Sequence, residues 1–238
     1  MLRSNLKTSI SWHDYLQLRA QRSRQPQLAN FFQQAILSAE TPIAEVPLIA
    51  LDIETTGLDS HRHDILSIGL VPFDWRRIAL SERRYWVVKP ASQLPAESVV
   101  FHRLTDTELA NAQSFAELLP DLLEALAGRL PVVHFRNIER PFLDHAVTQV
   151  TGESLRFPLI DTMALEALRH RLPWWQRCKR WLGYAPTSIR LHDSRARYGL
   201  PLYQGHHALT DALATAELLQ AQLAHHYSGN TPVSTLWC

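Results

Sequence analysis

Two carboxylic acids, Asp52 and Glu54, lie two positions apart at the end of an apolar run over residues 46–51. The run predicts a buried β-strand, and side chains at i and i+2 of a strand lie on the same face. Like charges this close repel each other unless a cation lies between them, and oxygen-only ligands suit Mg²⁺ or Mn²⁺. The pair therefore predicts a divalent-metal site. The alternative is a solvated strand end that carries two ordinary acids.

A third acid, Asp211, lies near the start of a predicted helix over residues 208–226. The helix dipole favours a carboxylate in the first turns, and the small side chains of Ala208 and Ala212 allow the helix to approach a sheet closely. His206 lies five positions before Asp211, which places it on the loop ahead of the helix rather than on the same helical face. From that loop, its imidazole can reach a site that Asp211 completes.

A sheet with helices around it is needed to bring these residues together. Aliphatic runs predict further strands, and the first three strands are close enough in sequence to form an antiparallel meander. A capping box at Ser114 and apolar residues at helical spacing predict helices between the later strands. The predicted strands after the first cover residues 65–71, 85–88, 131–135 and 159–162, and the main helices cover residues 114–128, 138–151 and 208–226. This order predicts an α/β three-layer domain whose mixed sheet has antiparallel strands 1–3 followed by parallel strands.

The chain divides into three predicted parts. Apolar residues at helical spacing, with Pro26 suited to a first helical turn, predict an N-terminal helical extension over residues 1–45. Its apolar side chains are expected to pack within the protein rather than on a partner. The main domain is expected over residues 46–228 and a short C-terminal tail over residues 229–238.

The composition is that of an ordinary globular protein, with 238 residues, 46% hydrophobic and 20% charged, and a formal charge of +1. There is no apolar run of about 18 residues, no secretory signal, and only two cysteines. We therefore expect a cytoplasmic protein with no membrane association. The P-loop, Gly-x-Gly-x-x-Gly and Cys-x-x-Cys motifs are all missing from the sequence, which argues against nucleotide-cofactor and zinc-ribbon chemistry.

Positive charge is concentrated in residues 169–197, where Asp193 is the only acid among many arginines. Trp174, Trp175 and Trp181 are interleaved with these arginines. A basic stretch with aromatic residues can neutralise phosphates and stack on bases. The same composition fits a helical hairpin whose tryptophans pack in the core and whose arginines are solvated. Both interpretations stay open.

The motifs Asp-x-Glu-Thr-Thr-Gly-Leu at residues 52–58 and His-x-Ala-x-x-Asp-Ala at residues 206–212 together resemble the DEDD exonuclease superfamily. The histidine spacing is similar to that of the DEDDh subgroup, which includes the proofreading epsilon subunit of bacterial DNA polymerase III. The resemblance covers roughly residues 46–226. It implies an RNase H-like exonuclease fold.

The middle motif of that family, His-Asn-x-x-Phe-Asp-x-x-Phe-Leu, is altered in this chain. Here His134 is followed by Phe135 in place of asparagine, and Glu139 occupies the aspartate position. Asp144 is the rival acid, but it lies about 140° around a helix from Glu139, so only one of the two can face the site. We predict that Glu139 is the fourth acid, because anchoring the motif on His134 and on residues 142–143 places it at the aspartate position. A modest helix shift can absorb its extra methylene group.

The resemblance also implies a pocket for the 3′-terminal nucleotide. The turn after the first strand would supply backbone donors and an apolar wedge, a histidine would contact the nucleotide, and an aromatic ring would form a wall. By position, these residues are Thr55, Thr56, Gly57, Leu58, His102 and Phe142. Packing is the alternative role for each, and it is the favoured role for Phe142. Asp161 is expected to cap a helix.

The activity that the resemblance implies is metal-dependent 3′-5′ exonuclease hydrolysis of nucleic acid, with single-stranded DNA favoured, to nucleoside 5′-monophosphates. Four acids would hold two divalent cations, Mg²⁺ or Mn²⁺: Asp52, Glu54, Glu139 and Asp211. His206 would take a proton from the attacking water. The expected partners are the 3′ end of single-stranded DNA or RNA and a DNA polymerase or other protein. A 3′-5′ exoribonuclease and a catalytically weakened nucleic-acid-binding or polymerase-associated module are the alternatives.

Overall fold

A computed structural model describes residues 10–90, 111–170 and 187–238. Within these ranges the chain forms one five-stranded sheet with the order β3-β2-β1-β4-β5. The first three strands pair antiparallel, and β4 and β5 continue the sheet in parallel with β1. The strands are β1 (Leu48–Thr55), β2 (Ile65–Phe73), β3 (Arg84–Val87), β4 (Leu130–Val133) and β5 (Ile160–Asp161). The predicted mixed α/β sheet is confirmed.

Seven α-helices lie in the described ranges, and local sequence signals explain several of their ends. Ser11 caps the first helix, and Ser114 and Glu117 form the predicted capping box of the third. The fourth helix begins two residues earlier than predicted, and the last has the predicted bounds. The helices are α1 (Trp12–Arg22), α2 (Pro26–Gln34), α3 (Phe115–Leu126), α4 (Arg136–Thr151), α5 (Thr162–Arg169), α6 (Leu191–Arg197) and α7 (Ala208–His226).

The two faces of the sheet carry different helices, which makes three layers. Alternate residues of β1 divide between the faces, with Ile49, Leu51 and Ile53 on one side and Leu48 and Ala50 on the other. The first side packs against α1 to α4, and the second packs against α5 and α7. Because Asp52 and Glu54 continue the even-numbered series, they belong to the α7 side.

The predicted helical extension contains α1 and α2, and both helices contribute to the main core. Leu16, Leu28, Phe31 and Phe32 are almost completely buried. They pack in the same cluster as the apolar residues of α3 and α4. The N-terminal helices therefore bury their apolar face within the protein, which stabilises the sheet face opposite α7.

Residues 229–238 pack against the domain along their length. Val233 and Leu236 are buried in the cluster on the α7 side. Trp237 forms an antiparallel bridge to Ile160, and the amide of Cys238 donates to the Leu159 carbonyl oxygen at 2.9 Å. The segment thus extends the sheet beside β5, at the edge that supports the start of α4.

Candidate active site

Asp52 and Glu54 lie inside β1 rather than just beyond it, because β1 continues to Thr55 in its pairing with β2. Asp52 pairs with Gly69 and Glu54 pairs with Ser67. The predicted common face is observed, and Asp211 of α7 lies over it. One carboxylate oxygen from each of these three acids lies within 4.8 Å of the other two.

The close approach of α7 to β2 depends on Gly69. A Cβ atom at position 69 would lie 2.3–2.4 Å from the backbone carbon and oxygen of Ala208 and the nitrogen of Leu209. These distances are well below van der Waals contact, and backbone atoms cannot swing aside. Since Gly69 is paired with Asp52, the first turn of α7 lies directly beside the acids of β1. The motifs of the sequence do not point to Gly69, and its one signal is that a glycine within a strand often marks a close backbone approach.

His206 lies immediately before α7, as predicted, in a left-handed backbone conformation with φ 67°. Its backbone amide donates a hydrogen bond of 2.8 Å to Asp211 Oδ2. The ring of its neighbour His207 stacks on Tyr85 of β3, with 4.7 Å between ring centroids. The stack holds the N-cap of α7 against the sheet. The hydrogen bond from the His206 amide orients the Asp211 carboxylate toward β1.

Glu139 lies in the first turn of α4, outside the cluster of three acids within 4.8 Å of one another, and is only 4% exposed. Its Oε2 atom is buried without a hydrogen-bond partner. Asp144 has a different environment, because its carboxylate accepts hydrogen bonds from Ser154 Oγ at 2.6 Å and the Leu155 amide at 2.9 Å. Asp144 therefore fixes the chain after α4, and Glu139 is the acid of this helix that interacts with Asp52.

The start of α4 is held by Asp161, the last residue of β5. Its carboxylate accepts hydrogen bonds from the backbone amides of Met163 and Ala164, and it caps α5 as predicted. It also accepts from the amides of Phe135 and Arg136, at 3.1 and 3.2 Å. One side chain thus connects the first turns of α4 and α5 and sets the position of Glu139.

All four acids of the site have raised pKa values. Loss of solvent raises the pKa of Glu139 to about 8 and that of Glu54 to about 7, and the charge of Asp211 adds to the effect at Glu54. Burial, followed by the charges of the other three acids, raises the pKa of Asp52 well above its usual range. Burial also raises the pKa of Asp211. The folded protein thus holds its carboxyl groups where negative charge is poorly stabilised.

These residues fit a hard divalent cation. The donors are all carboxylate oxygens, and Glu139 Oε2 is a buried acceptor without a donor. Positive charge placed among them would offset both the repulsion and the lost hydration that raise their pKa values. The arrangement is therefore an acidic cluster with the chemistry of a metal site.

The stability of the metal-free protein should depend on pH because of these acids. Between pH 4.5 and 8, folded Glu54 and Glu139 retain protons that the unfolded chain releases, so the free energy of unfolding falls as pH rises. From pH 6 to pH 8 we expect a loss of about 2–4 kcal/mol, seen as a Tm lower by roughly 5–10 °C. Thermal unfolding in EDTA measures this shift. Saturating Mg²⁺ should restore the Tm at pH 8, and Glu139→Gln should reduce the difference in Tm between the two pH values. A metal-free Tm that is equal at pH 6 and pH 8 would contradict the raised pKa values of Glu54 and Glu139.

The turn after β1 is closed by its own hydrogen bonds. Thr55 Oγ1 donates to the Gly57 carbonyl oxygen at 2.7 Å, and the Thr56 amide donates to the Asp64 carbonyl oxygen at 2.9 Å. The Thr56 amide is therefore used within the turn and does not present a backbone donor to a substrate. Leu58 is 82% exposed at the tip of the turn, where an apolar wedge would lie.

The two remaining residues of the predicted substrate pocket have different outcomes. Phe142 is 2% exposed and packs in the core between α4 and the sheet. It also contributes to the wall of a cleft of about 700 Å³ that His61 and His145 line. His102 lies outside the described residues, as does most of the basic segment at 169–197.

A substitution of Gly69 tests whether the contact with α7 positions Asp211. Gly69→Ala should displace the start of α7, and we expect activity to fall by roughly a hundredfold, because small misplacements of catalytic groups have effects of that size. Steady-state nuclease kinetics and Mn²⁺ titration, both below the Tm, measure the effect.

The matched control is Leu70→Ala, which removes a buried side chain from the opposite face of β2. It should cost about 2–4 kcal/mol of stability and leave kcat and the half-saturating Mn²⁺ concentration nearly unchanged. Equal kinetic losses in both variants would show that Gly69 acts only through stability.

The fold is similar to that of solved nuclease structures. The structure is similar to the nuclease domain of 3′hExo, described as a DEDDh family member bound to rAMP, with a TM-score of 0.61 and 14% sequence identity. The similarity covers 76% of this chain and 92% of that chain. The RNase H-like exonuclease fold implied by the sequence motifs is confirmed.

The family is established by sequence. The chain belongs to the exonuclease family RNase_T, whose model matches residues 49–219. It is 27% identical to the DNA polymerase III subunit epsilon of Treponema pallidum over 185 residues, which are 78% of this chain and 80% of that protein. It is 29% identical to the PolC-type DNA polymerase III of Thermotoga maritima over 182 residues, and it spans only 12% of that protein. None of the described helices combines the length and apolar character needed to cross a bilayer.

Proposed function

We propose that this exonuclease acts in the 3′-5′ direction and releases nucleoside 5′-monophosphates, with single-stranded DNA as its favoured substrate. The observation that carries the proposal is the meeting of acids from β1 and α7 within 4.8 Å, with the buried Glu139 of α4 beside Asp52. A terminal nucleotide must leave the base stack to enter such a recess, which favours single strands. The name of the Treponema pallidum relative supports DNA as the substrate and a DNA polymerase as a partner.

Four carboxylates would hold two divalent cations, Mg²⁺ or Mn²⁺: Asp52, Glu54, Glu139 and Asp211. The chemistry supplied when two such cations are bound is activation of a water and stabilisation of charge on the leaving 3′-oxygen. The chain's own residues position these charges. Asp52 and Glu54 are fixed by sheet pairing, and Asp211 is fixed by the His206 amide and by the close approach of α7.

His206 is proposed to accept the proton of the attacking water at an imidazole nitrogen. It lies just before His207, the N-cap of α7, and its backbone amide is hydrogen-bonded to Asp211, which supports a place for the ring at the rim of the acidic cluster. A neutral imidazole nitrogen can accept a proton from water in this way. Leu58, exposed at the tip of the turn after β1, is proposed to contact the terminal base.

The experiment is digestion of matched single-stranded DNA and RNA labelled at the 5′ end or at the 3′ end, with Mg²⁺ or Mn²⁺. A 3′-5′ exonuclease releases a 3′ label at once as mononucleotide and shortens a 5′-labelled strand stepwise. Release of a 5′ label first would exclude this polarity. Faster digestion of RNA than of DNA would favour the exoribonuclease alternative, and binding without digestion would favour a weakened binding module.

A further inference from the structure

Phe135 has an unfavourable backbone conformation for its residue type. Its φ is 98° and its ψ is 69°, in the left-handed region that disfavours bulky L-residues. Among the described residues only one other non-glycine residue has a positive φ, and that is His206. His206 is hydrogen-bonded to Asp211, and Phe135 is the N-cap of the helix whose first turn carries Glu139. Strained backbone conformations cluster at functional sites.

The surrounding structure fixes this conformation. The Phe135 amide donates to Asp161 Oδ1, and the preceding His134 ring is held on both sides. His134 Nδ1 is 2.8 Å from Thr162 Oγ1, and its Nε2 is 3.1 Å from the Ile189 carbonyl oxygen. Since His134 and the amides of Phe135 and Arg136 are all held by hydrogen bonds, the fold determines the direction of the Phe135 side chain.

Burial does not offset the strain, because Phe135 is 39% exposed and does not belong to either core cluster. Asparagine, which the DEDDh motif has at this position, or glycine would adopt the same backbone at lower free-energy cost. A phenyl ring here therefore reduces stability without the gain of a core side chain. A role in ligand contact accounts for it.

The ring lies at the start of α4, four residues before Glu139. Phe135 is the N-cap of α4, Glu139 lies in the first turn of that helix, and the Phe135 amide is held by Asp161. The exposed ring is therefore carried by the same end of α4 as Glu139, whereas the exposed Leu58 lies beyond β1. A nucleic-acid strand with its scissile phosphate at the acids would have a base within reach of this end of α4.

We propose that Phe135 is a specificity residue whose ring stacks on a base of a single-stranded substrate beside the scissile phosphate. This inference rests on the proposed nuclease function and adds a contact that the family motif does not supply. Stacking on an aromatic ring is tolerant of sequence and contributes substantially to single-strand binding. It also explains why the strained phenyl ring is exposed rather than packed.

The test compares Phe135→Asn, which removes the ring and relieves the strain, with Phe135→Tyr, which keeps the ring. For the asparagine variant we expect KM to rise roughly 5- to 100-fold, with kcat changed by less than about threefold. Its Tm should rise by roughly 2–6 °C. The tyrosine variant should keep the wild-type KM. Leu80→Asn, at an exposed apolar position outside the site, is the control and should also keep it.

A substrate series with single abasic sites identifies the stacked base. Removal of that base should raise the wild-type KM as much as Phe135→Asn does, and the variant should show no further loss on the same substrate. Fluorescence quenching of 2-aminopurine oligonucleotides in Ca²⁺ tests stacking separately from hydrolysis. Equal quenching and equal KM in wild type and Phe135→Asn would overturn the inference while leaving the nuclease function intact.

Discussion

Replacing Asp52 with asparagine is expected to lower kcat by at least about a thousandfold while raising the stability of the metal-free protein. Asparagine has nearly the same shape, so the pairing of β1 with β2 should be retained. The change removes a carboxylate whose pKa is raised by burial and by the charges of Glu139, Asp211 and Glu54. Loss of that charge should relieve repulsion in the folded state and remove a proposed metal ligand at the same time.

Two measurements on the same protein separate these effects. Thermal unfolding in EDTA at pH 8 should show a higher Tm for Asp52→Asn than for wild type, and Mg²⁺ should raise that Tm by less. Digestion of single-stranded DNA with Mn²⁺ should be nearly abolished. A variant with more than about a tenth of wild-type activity would show that Asp52 is not a ligand, because one lost ligand has far larger effects.

The opposite signs of these two effects follow from how the site is built. Acids from β1 and α7 meet within 4.8 Å, and the buried Glu139 of α4 interacts electrostatically with Asp52, in elements whose packing is otherwise apolar. Apolar packing offsets the repulsion among the carboxylates, which lowers the free energy of unfolding of the metal-free protein. A bound cation would remove that repulsion and raise the free energy of unfolding. Asp161 and Gly69 contribute to this preorganisation through their contacts with the backbone of α4 and α7. Asp161 holds α4 through the amides of Phe135 and Arg136, and Gly69 lets α7 approach the sheet.

Much of this arrangement can be predicted from local sequence patterns. Side chains alternate in direction along a strand, which assigns Asp52 and Glu54 of the strand at residues 48–55 to one face. The apolar seam of residues 208–226 gives the bounds of α7. The order of strands and helices then restricts the topology to a mixed sheet. These patterns suffice because strand and helix periodicities fix side-chain directions independently of tertiary contacts.

Other features depend on contacts between distant segments and have no local signal. The phenyl ring of Phe135 gives no indication of a left-handed backbone, since its residue type disfavours that conformation. The role of Gly69 is visible only once the backbone of Ala208 lies against it. The pairing of Cys238 with Leu159 likewise requires the sheet edge at β5 to be in place.

The identity of the fourth acid gives the second prediction of large effect. Glu139→Gln is expected to reduce kcat by about a thousandfold, whereas Asp144→Asn should leave kcat within about twofold of wild type. Glu139 is buried beside Asp52 with an unpartnered carboxylate oxygen. Asp144, in the middle of α4, instead accepts hydrogen bonds from Ser154 and Leu155, which follow the helix. Asparagine at position 144 should therefore reduce stability by about 1–2 kcal/mol and act only on folding.

Glu139→Asp sharpens this test, because it restores the residue type of the family motif while shortening the side chain by one methylene. The tail at residues 229–238 helps to hold α4 in place, since Arg140 Nη2 donates to the Cys238 carbonyl oxygen at 2.7 Å. A helix held in this way cannot move freely toward the acids of β1. We therefore expect Glu139→Asp to keep its negative charge but to place the carboxylate too far from the acids of β1. Its kcat should be about 10- to 100-fold below wild type, and its half-saturating Mn²⁺ concentration should be higher. Full activity of Glu139→Asp would show that α4 adjusts to the shorter acid. If Asp144→Asn were inactive and Glu139→Gln active, the fourth ligand would be Asp144 instead of Glu139.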